Sequence, residues 1–231
     1  MSKYSHIFFD LDHTLWDFNT NSRETLLELY AEYELKNRGL HSFEFFHRIY
    51  LTVNAQYWAK YHQGIISKEQ LRTGRFAESL RISGLRDTEL ATKMGAAYLQ
   101  RSPYKTKLFA DTKQVLEYLS EKYALYIITN GFAGVQHIKI TESGLRPYFK
   151  DIFISEQIGY QKPHKQIFLY ALHVAGTIAE KALMVGDNIK TDILGAAEVG
   201  IDQTFFNPNG IRASHKATYE IHTLAELKEF L

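Results

Sequence analysis

Residues 6–14 read His6-Ile7-Phe8-Phe9-Asp10-Leu11-Asp12-His13-Thr14. The apolar start, over 6–10, has the composition of a short buried strand. Two carboxylates follow where it ends. Acids this close repel and stay ionised together only with a cation between them or a proton on one. Downstream, the same arrangement of a β-rich apolar run followed by polar residues recurs. The run 124–128 leads into Thr129-Asn130-Gly131, and 151–154 precedes Gly159-Tyr160-Gln161-Lys162-Pro163. The run 182–185 leads into Gly186-Asp187-Asn188, with Asp192 soon after, and a fifth strand is predicted over 203–206.

Helical patterns separate these strands, over 111–119, 135–143, 165–175 and 189–199, and a last helix is capped by Thr223-x-x-Glu226. Continuous apolar strands alternating with helices imply a parallel sheet covered on both faces. The stretch from about 21 to 100 differs: it lacks proline, and all four prolines (Pro103, Pro147, Pro163, Pro208) come later. Asn21-Ser22 is placed to cap a helix carrying Leu26, Leu29, Tyr30 and Tyr33, with Gly39 beyond it. A longer helix over 42–61 has Phe45, Ile49, Val53 and Tyr57 at four-residue spacing. Ser67-x-x-Gln70 reads as a capping box, and another helix spans 88–100. The expected fold is α/β: a Rossmann-like core (1–16 and 103–231) with a parallel central sheet and a helical insertion (17–102) after the first strand. Ligands of such sheets bind beyond the carboxyl ends of the strands.

Composition narrows the chemistry. The 231 residues are 45% hydrophobic, and 27 basic against 26 acidic side chains leave a net charge of +1. There is no overall positive field to hold a nucleic acid polymer or an anionic membrane. Cysteine is absent, which excludes disulfides, thiolate nucleophiles and cysteine-ligated metals. No apolar run approaches the ~20 residues that span a bilayer, so a soluble cytoplasmic protein is expected.

The strand ends supply complementary groups. Asp10, Asp12 and Asp187 suit a hard cation such as Mg²⁺. Thr129, Asn130, the Gly131 amide and Lys162 suit a tetrahedral oxyanion. A metal and a cation converging on one phosphoryl group is how phosphoryl transfer is stabilised. Asp10-x-Asp12-x-Thr14, then Thr129, then Lys162-Pro163, then Gly186-Asp187 with Asp192 resemble, in order, the four motifs of the haloacid dehalogenase-like hydrolase superfamily. The helical insertion sits where that family carries a type C1 cap.

The resemblance implies roles. Asp10 is the expected nucleophile, forming an aspartyl-phosphate, and Asp12 the general acid and base, its backbone carbonyl also on the metal. Thr129 and Lys162 are expected to hold the phosphoryl group. Asp187 is an expected Mg²⁺ ligand, Asp192 supports that shell, and Thr14 ties down the turn. Expelling a halide needs neither a proton nor a metal, so Asp12 together with Asp187 favours phosphomonoester hydrolysis.

Residues 8–18 are further similar to the pyrimidine 5′-nucleotidase branch. That likeness implies a small phosphorylated metabolite, a nucleoside monophosphate such as UMP, dUMP or dTMP, as substrate. A sugar phosphate phosphatase or phosphomutase of the same superfamily is the alternative, and a non-catalytic phosphate-binding protein the rival of another class. The aromatic residues of the insertion read mainly as its own core, with Trp16 and Phe18 at its entrance. Arg72, Arg75 and Arg81 read as a solvated helix face.

Overall fold

The computed structural model describes residues 3–212 and 215–231. Among them, one sheet contains β1 (His6–Phe9), β2 (Ala124–Thr129), β3 (Asp151–Ile154), β4 (Ala182–Gly186), β5 (Asp202–Phe206) and β6 (Tyr219–Ile221). All neighbours pair in parallel, in the order β3-β2-β1-β4-β5-β6. The sixth strand lies beyond the five expected. It is three residues long with only Ile221 buried, too short to carry an apolar run.

Successive side chains of a strand point to opposite faces. Ile7, Phe9, Leu125, Ile127, Leu183 and Val185 pack on one face with Leu116 and Leu119. Phe8, Tyr126, Ile128 and Met184 pack on the other with Ile167, Phe168 and Leu172. Burying both faces is why these strands read as unbroken apolar runs, at about 1.5–3 kcal/mol of stabilisation per large buried side chain.

The chain divides into two compact units, Met1–Phe18 with Thr106–Leu231, and Asn19–Lys105. The second begins two residues and ends three residues later than the expected 17–102. Its helices are α1 (Phe18–Glu32), α2 (Phe43–His62), α3 (Lys68–Ile82) and α4 (Thr88–Arg101). The capping box at Ser67 and Gln70 is formed, with reciprocal bonds of 3.2 and 2.8 Å.

Three details of this unit depart from expectation. Helix α1 starts at Phe18, not after an Asn21-Ser22 cap. Ser22 is buried inside it, accepting from the Tyr98 hydroxyl at 2.9 Å, so a tertiary partner replaces the cap role. On α2 the buried stripe is Phe46, Tyr50 and Val53, and Phe45 faces solvent. Arg75 is 4% exposed rather than solvated. Its guanidinium carbon lies 5.0 Å from the Tyr98 ring centre and 5.5 Å from that of Phe76, and its Nη1 donates to Asn54 Oδ1 at 2.7 Å.

In the sheet unit the remaining helices are α5 (Thr112–Ser120), α6 (Ala133–Glu142), α7 (Ser155–Ile158), α8 (Lys165–Ala175) and α9 (Leu194–Glu198). The last capped segment, Leu224–Glu229, is a 3₁₀ helix whose Glu226 accepts from the Thr223 amide at 2.7 Å. The strand order reverses direction between β1 and β4. In open parallel sheets that is where the loops diverge and leave a crevice. Asp10 follows β1, and Asp187 follows β4.

Candidate active site

At the end of β1 the chain stays in register for one more residue: the Asp10 amide donates to the Val185 carbonyl at 2.9 Å. It then turns tightly, with the Leu15 and Trp16 amides both on the Leu11 carbonyl and His13 at φ 66°. The turn sends the two aspartates to different partners. Asp10 Oδ1 pairs with Lys162 Nζ at 2.6 Å. Asp12 Oδ1 pairs with Lys139 Nζ at 2.6 Å, and its Oδ2 accepts from Gln136 Nε2 at 2.9 Å.

Lys162 is buried and bridges Asp10 to Asp192, again at 2.6 Å. Asn130 fixes its backbone. The Lys162 amide donates to Asn130 Oδ1 at 2.7 Å, and Asn130 Nδ2 donates to the Lys162 carbonyl at 2.9 Å. Asn130 was expected to face an oxyanion; its side-chain amide is instead taken up in placing the lysine. Thr129 is buried, accepting from Gln136 Nε2 at 2.7 Å and from the Gly131 amide at 3.2 Å.

Beyond β4 the expected helix over 189–199 is interrupted. Ile189–Ile193 is a π-helical turn, and α9 begins only at Leu194. Asn188 caps the turn, accepting from the Lys190 and Thr191 amides at 3.0 and 3.1 Å. Such a turn, common at functional sites, carries the Asp192 side chain back over the end of β4. A Cβ on Gly186 would sit 2.4 Å from Asp192 Oδ2, so only glycine leaves room there. Thr14 Oγ1 donates to Asp187 Oδ1 at 3.2 Å.

A profile of the haloacid dehalogenase-like hydrolases matches residues 4–200. The chain belongs to that family. It is 32% identical to pyrimidine 5′-nucleotidase PynA of Streptococcus pneumoniae, over 99% of this chain and 95% of the relative. It is likewise 32% identical to pyrimidine 5′-nucleotidase YjjG of Escherichia coli, over 99% and 98%. Among solved structures, magnesium-bound YfnB of Bacillus subtilis superposes with a TM-score of 0.86 at 29% identity, over 99% and 98% of the two chains.

In this hydrolase one oxygen from each of Asp10, Asp187 and Asp192 lies within 4.8 Å of the others. Burial pushes the Asp10 carboxyl up to about 7, although Lys162 pulls the other way. Burial, then the charges of Asp192 and Asp10, push Asp187 well above the usual carboxylate range. Lys162 is raised as well: burial disfavours its charge, but Asp10 and Asp192 outweigh that and hold the ammonium above its ordinary range. Lys162 thus pairs with Asp10 and Asp192, the half-buried Asp187 lies beside them, and the donor set is all oxygen. That charge and chemistry fit a hard divalent cation. The Asp12 side chain lies outside this group. Burial opposes its ionisation, but the Lys139 charge and the hydrogen bonds from Lys139 and Gln136 prevail and hold it below the usual range.

Gln136 and Lys139 were not anticipated from the sequence. A signal existed: they stand three apart on α6, beside Ile140, and helix residues at that spacing share a face. A lysine on a face that also carries a core isoleucine needs a partner. Trp16, expected at the entrance of the insertion, is buried in the sheet unit, with Lys139 Nζ 4.1 Å from its ring centre. That ring and the ammonium make a cation–π contact.

Proposed function

We propose that this hydrolase is a Mg²⁺-dependent phosphomonoesterase acting on pyrimidine nucleoside 5′-monophosphates. The observation that carries the chemistry is the pair Asp10 and Asp12, each bound to a different buried lysine at 2.6 Å. One carboxylate then serves as nucleophile while the other handles the proton.

In the first step an Asp10 oxygen bonds to phosphorus as the ester P–O bond breaks. Asp12, ionised in the free enzyme, takes up the proton that the phosphomonoester monoanion brings and passes it to the departing oxygen, leaving an aspartyl-phosphate and an alcohol. In the second step the Asp12 carboxylate takes a proton from water, whose oxygen bonds to phosphorus and releases Asp10 and inorganic phosphate. Thr129, its hydroxyl oxygen accepting from the Gly131 amide, holds a phosphoryl oxygen, and Lys162 keeps Asp10 aimed and offsets its charge. Asn130 acts through Lys162. Asp10, Asp187 and the Asp12 carbonyl are the residues that would hold Mg²⁺, which when bound supplies charge neutralisation to the phosphoryl oxygens. Asp192 and Thr14 keep that carboxylate set in place.

The unit Asn19–Lys105 is proposed to act as the cap that selects the substrate. The pyrimidine assignment is supported by PynA and YjjG, both named pyrimidine 5′-nucleotidases and both matched over nearly their whole length. A dehalogenase reading has no use for Asp12, since a halide leaves without a proton.

A panel of p-nitrophenyl phosphate, UMP, dUMP, dTMP, ribose 5-phosphate and glucose 6-phosphate, with Mg²⁺ or EDTA, tests the proposal. Metal-dependent turnover led by the nucleotides supports it. Preference for the sugar phosphates redirects the substrate and keeps the chemistry. Absence of turnover, or full turnover by Asp10→Asn, contradicts both.

A further inference from the structure

Gln136 and Lys139 stand outside the four motifs, and the inference drawn from them rests on the phosphomonoesterase reading. A buried ammonium is costly unless paired. Lys139 is buried on α6, with Asp12 Oδ1 at 2.6 Å and the Trp16 ring centre at 4.1 Å. The other Asp12 oxygen takes the Gln136 amide at 2.9 Å, and the same nitrogen reaches Thr129 Oγ1 at 2.7 Å. Donors on both oxygens leave the carboxyl group no free rotation. The grip also ties Asp12 to the residue that holds the phosphoryl group. Its fit is close: a Cβ on Gly131 would lie 2.2 Å from Gln136 Nε2.

We propose that Lys139 is a positioning residue which, together with Gln136, holds the Asp12 carboxyl group against the leaving oxygen. Lys139 exchanges neither proton nor electrons. The proton passes from Asp12 to the bridging oxygen as the P–O bond breaks, and Lys139 fixes where Asp12 stands when it does so.

The leaving group reads this out. An alkoxide needs the proton, whereas p-nitrophenolate departs without it, and kcat/KM reports the first step alone. Lys139→Met is expected to lower kcat/KM at least about 30-fold for the alkyl ester that wild type hydrolyses fastest. For p-nitrophenyl phosphate the loss is expected to be about three-fold. Lys139→Arg recovers most of the alkyl-ester loss. Gln136→Met gives the same pattern more weakly, and decides the matter if Lys139→Met does not fold. A crystal structure of Lys139→Met adds a readout independent of turnover, with Asp12 in more than one rotamer. Equal losses on both ester types, or no loss, overturn the positioning role and leave the phosphomonoesterase reading standing. A wild type inactive on every ester overturns both.

Discussion

Asp10 and Asp12 are two residues apart yet sit in opposite electrostatic settings. Burial and neighbouring carboxylates lift Asp10, whereas Lys139 and Gln136 hold Asp12 down. For Asp10 the folded state prefers the neutral form. Its contribution is favourable at low pH and is lost as pH rises from 3.8, the ordinary value, to about 7. Asp10→Asn lacks this penalty. In EDTA, the melting temperature of Asp10→Asn minus that of wild type should therefore widen between pH 4 and 7 and then level off. The gain should be on the order of 2 kcal/mol, or roughly 5 °C. A difference independent of pH would contradict the assignment. Asp187→Asn should remove most of the rise in melting temperature that Mg²⁺ gives wild type, as ligand-linked stabilisation requires. An unchanged Mg²⁺ response in differential scanning fluorimetry would exclude Asp187 as a ligand.

At the scale of elements, what could be seen in advance depended on how local the cause was. The strands from β1 to β5 carry their own apolar runs, so their positions followed from composition, and the charged and polar residues at their ends located the site. The capping boxes at Ser67 and Thr223 were legible for the same reason. β6 was not, because three residues with one buried side chain hold no periodicity. Nor was the π-helical turn at Ile189–Ile193, which depends on a missing Cβ at Gly186 against Asp192, a contact between residues in different elements. Gly186→Ala should accordingly displace Asp192 and lower Mg²⁺ affinity about ten-fold or more by calorimetry, while the sheet persists by circular dichroism. Retained affinity would deny the close approach any role. In the helical unit, Arg75→Ala removes a guanidinium packed on the Tyr98 and Phe76 rings and leaves Asn54 Oδ1 without its donor. The expected cost is about 2–3 kcal/mol in denaturant unfolding. A loss under about 0.5 kcal/mol would mean the arginine is on the surface in solution.

Across the whole molecule, the charge balance and the absent cysteines excluded more than they identified. What identified the family was the order of four short stretches, each at a strand end. The sheet order brings them together because β1 and β4, distant in sequence, are neighbours. Among the described residues no helix is long and apolar enough to cross a membrane. Substrate choice was the least legible property. The aromatic residues of the Asn19–Lys105 unit, the proposed cap, largely fill that unit's own core: Phe46, Tyr50, Phe76 and Tyr98 are buried together.

In the proposed mechanism Asp10 forms a covalent bond to the phosphoryl group. Quenching the enzyme in acid during turnover of a radiolabelled phosphomonoester with Mg²⁺, followed by peptide mapping, tests it most directly. An acid-stable, hydroxylamine-labile label on the peptide containing Asp10, absent in Asp10→Asn, is the predicted result. Turnover with no label at that position, or label carried by another residue, would contradict it.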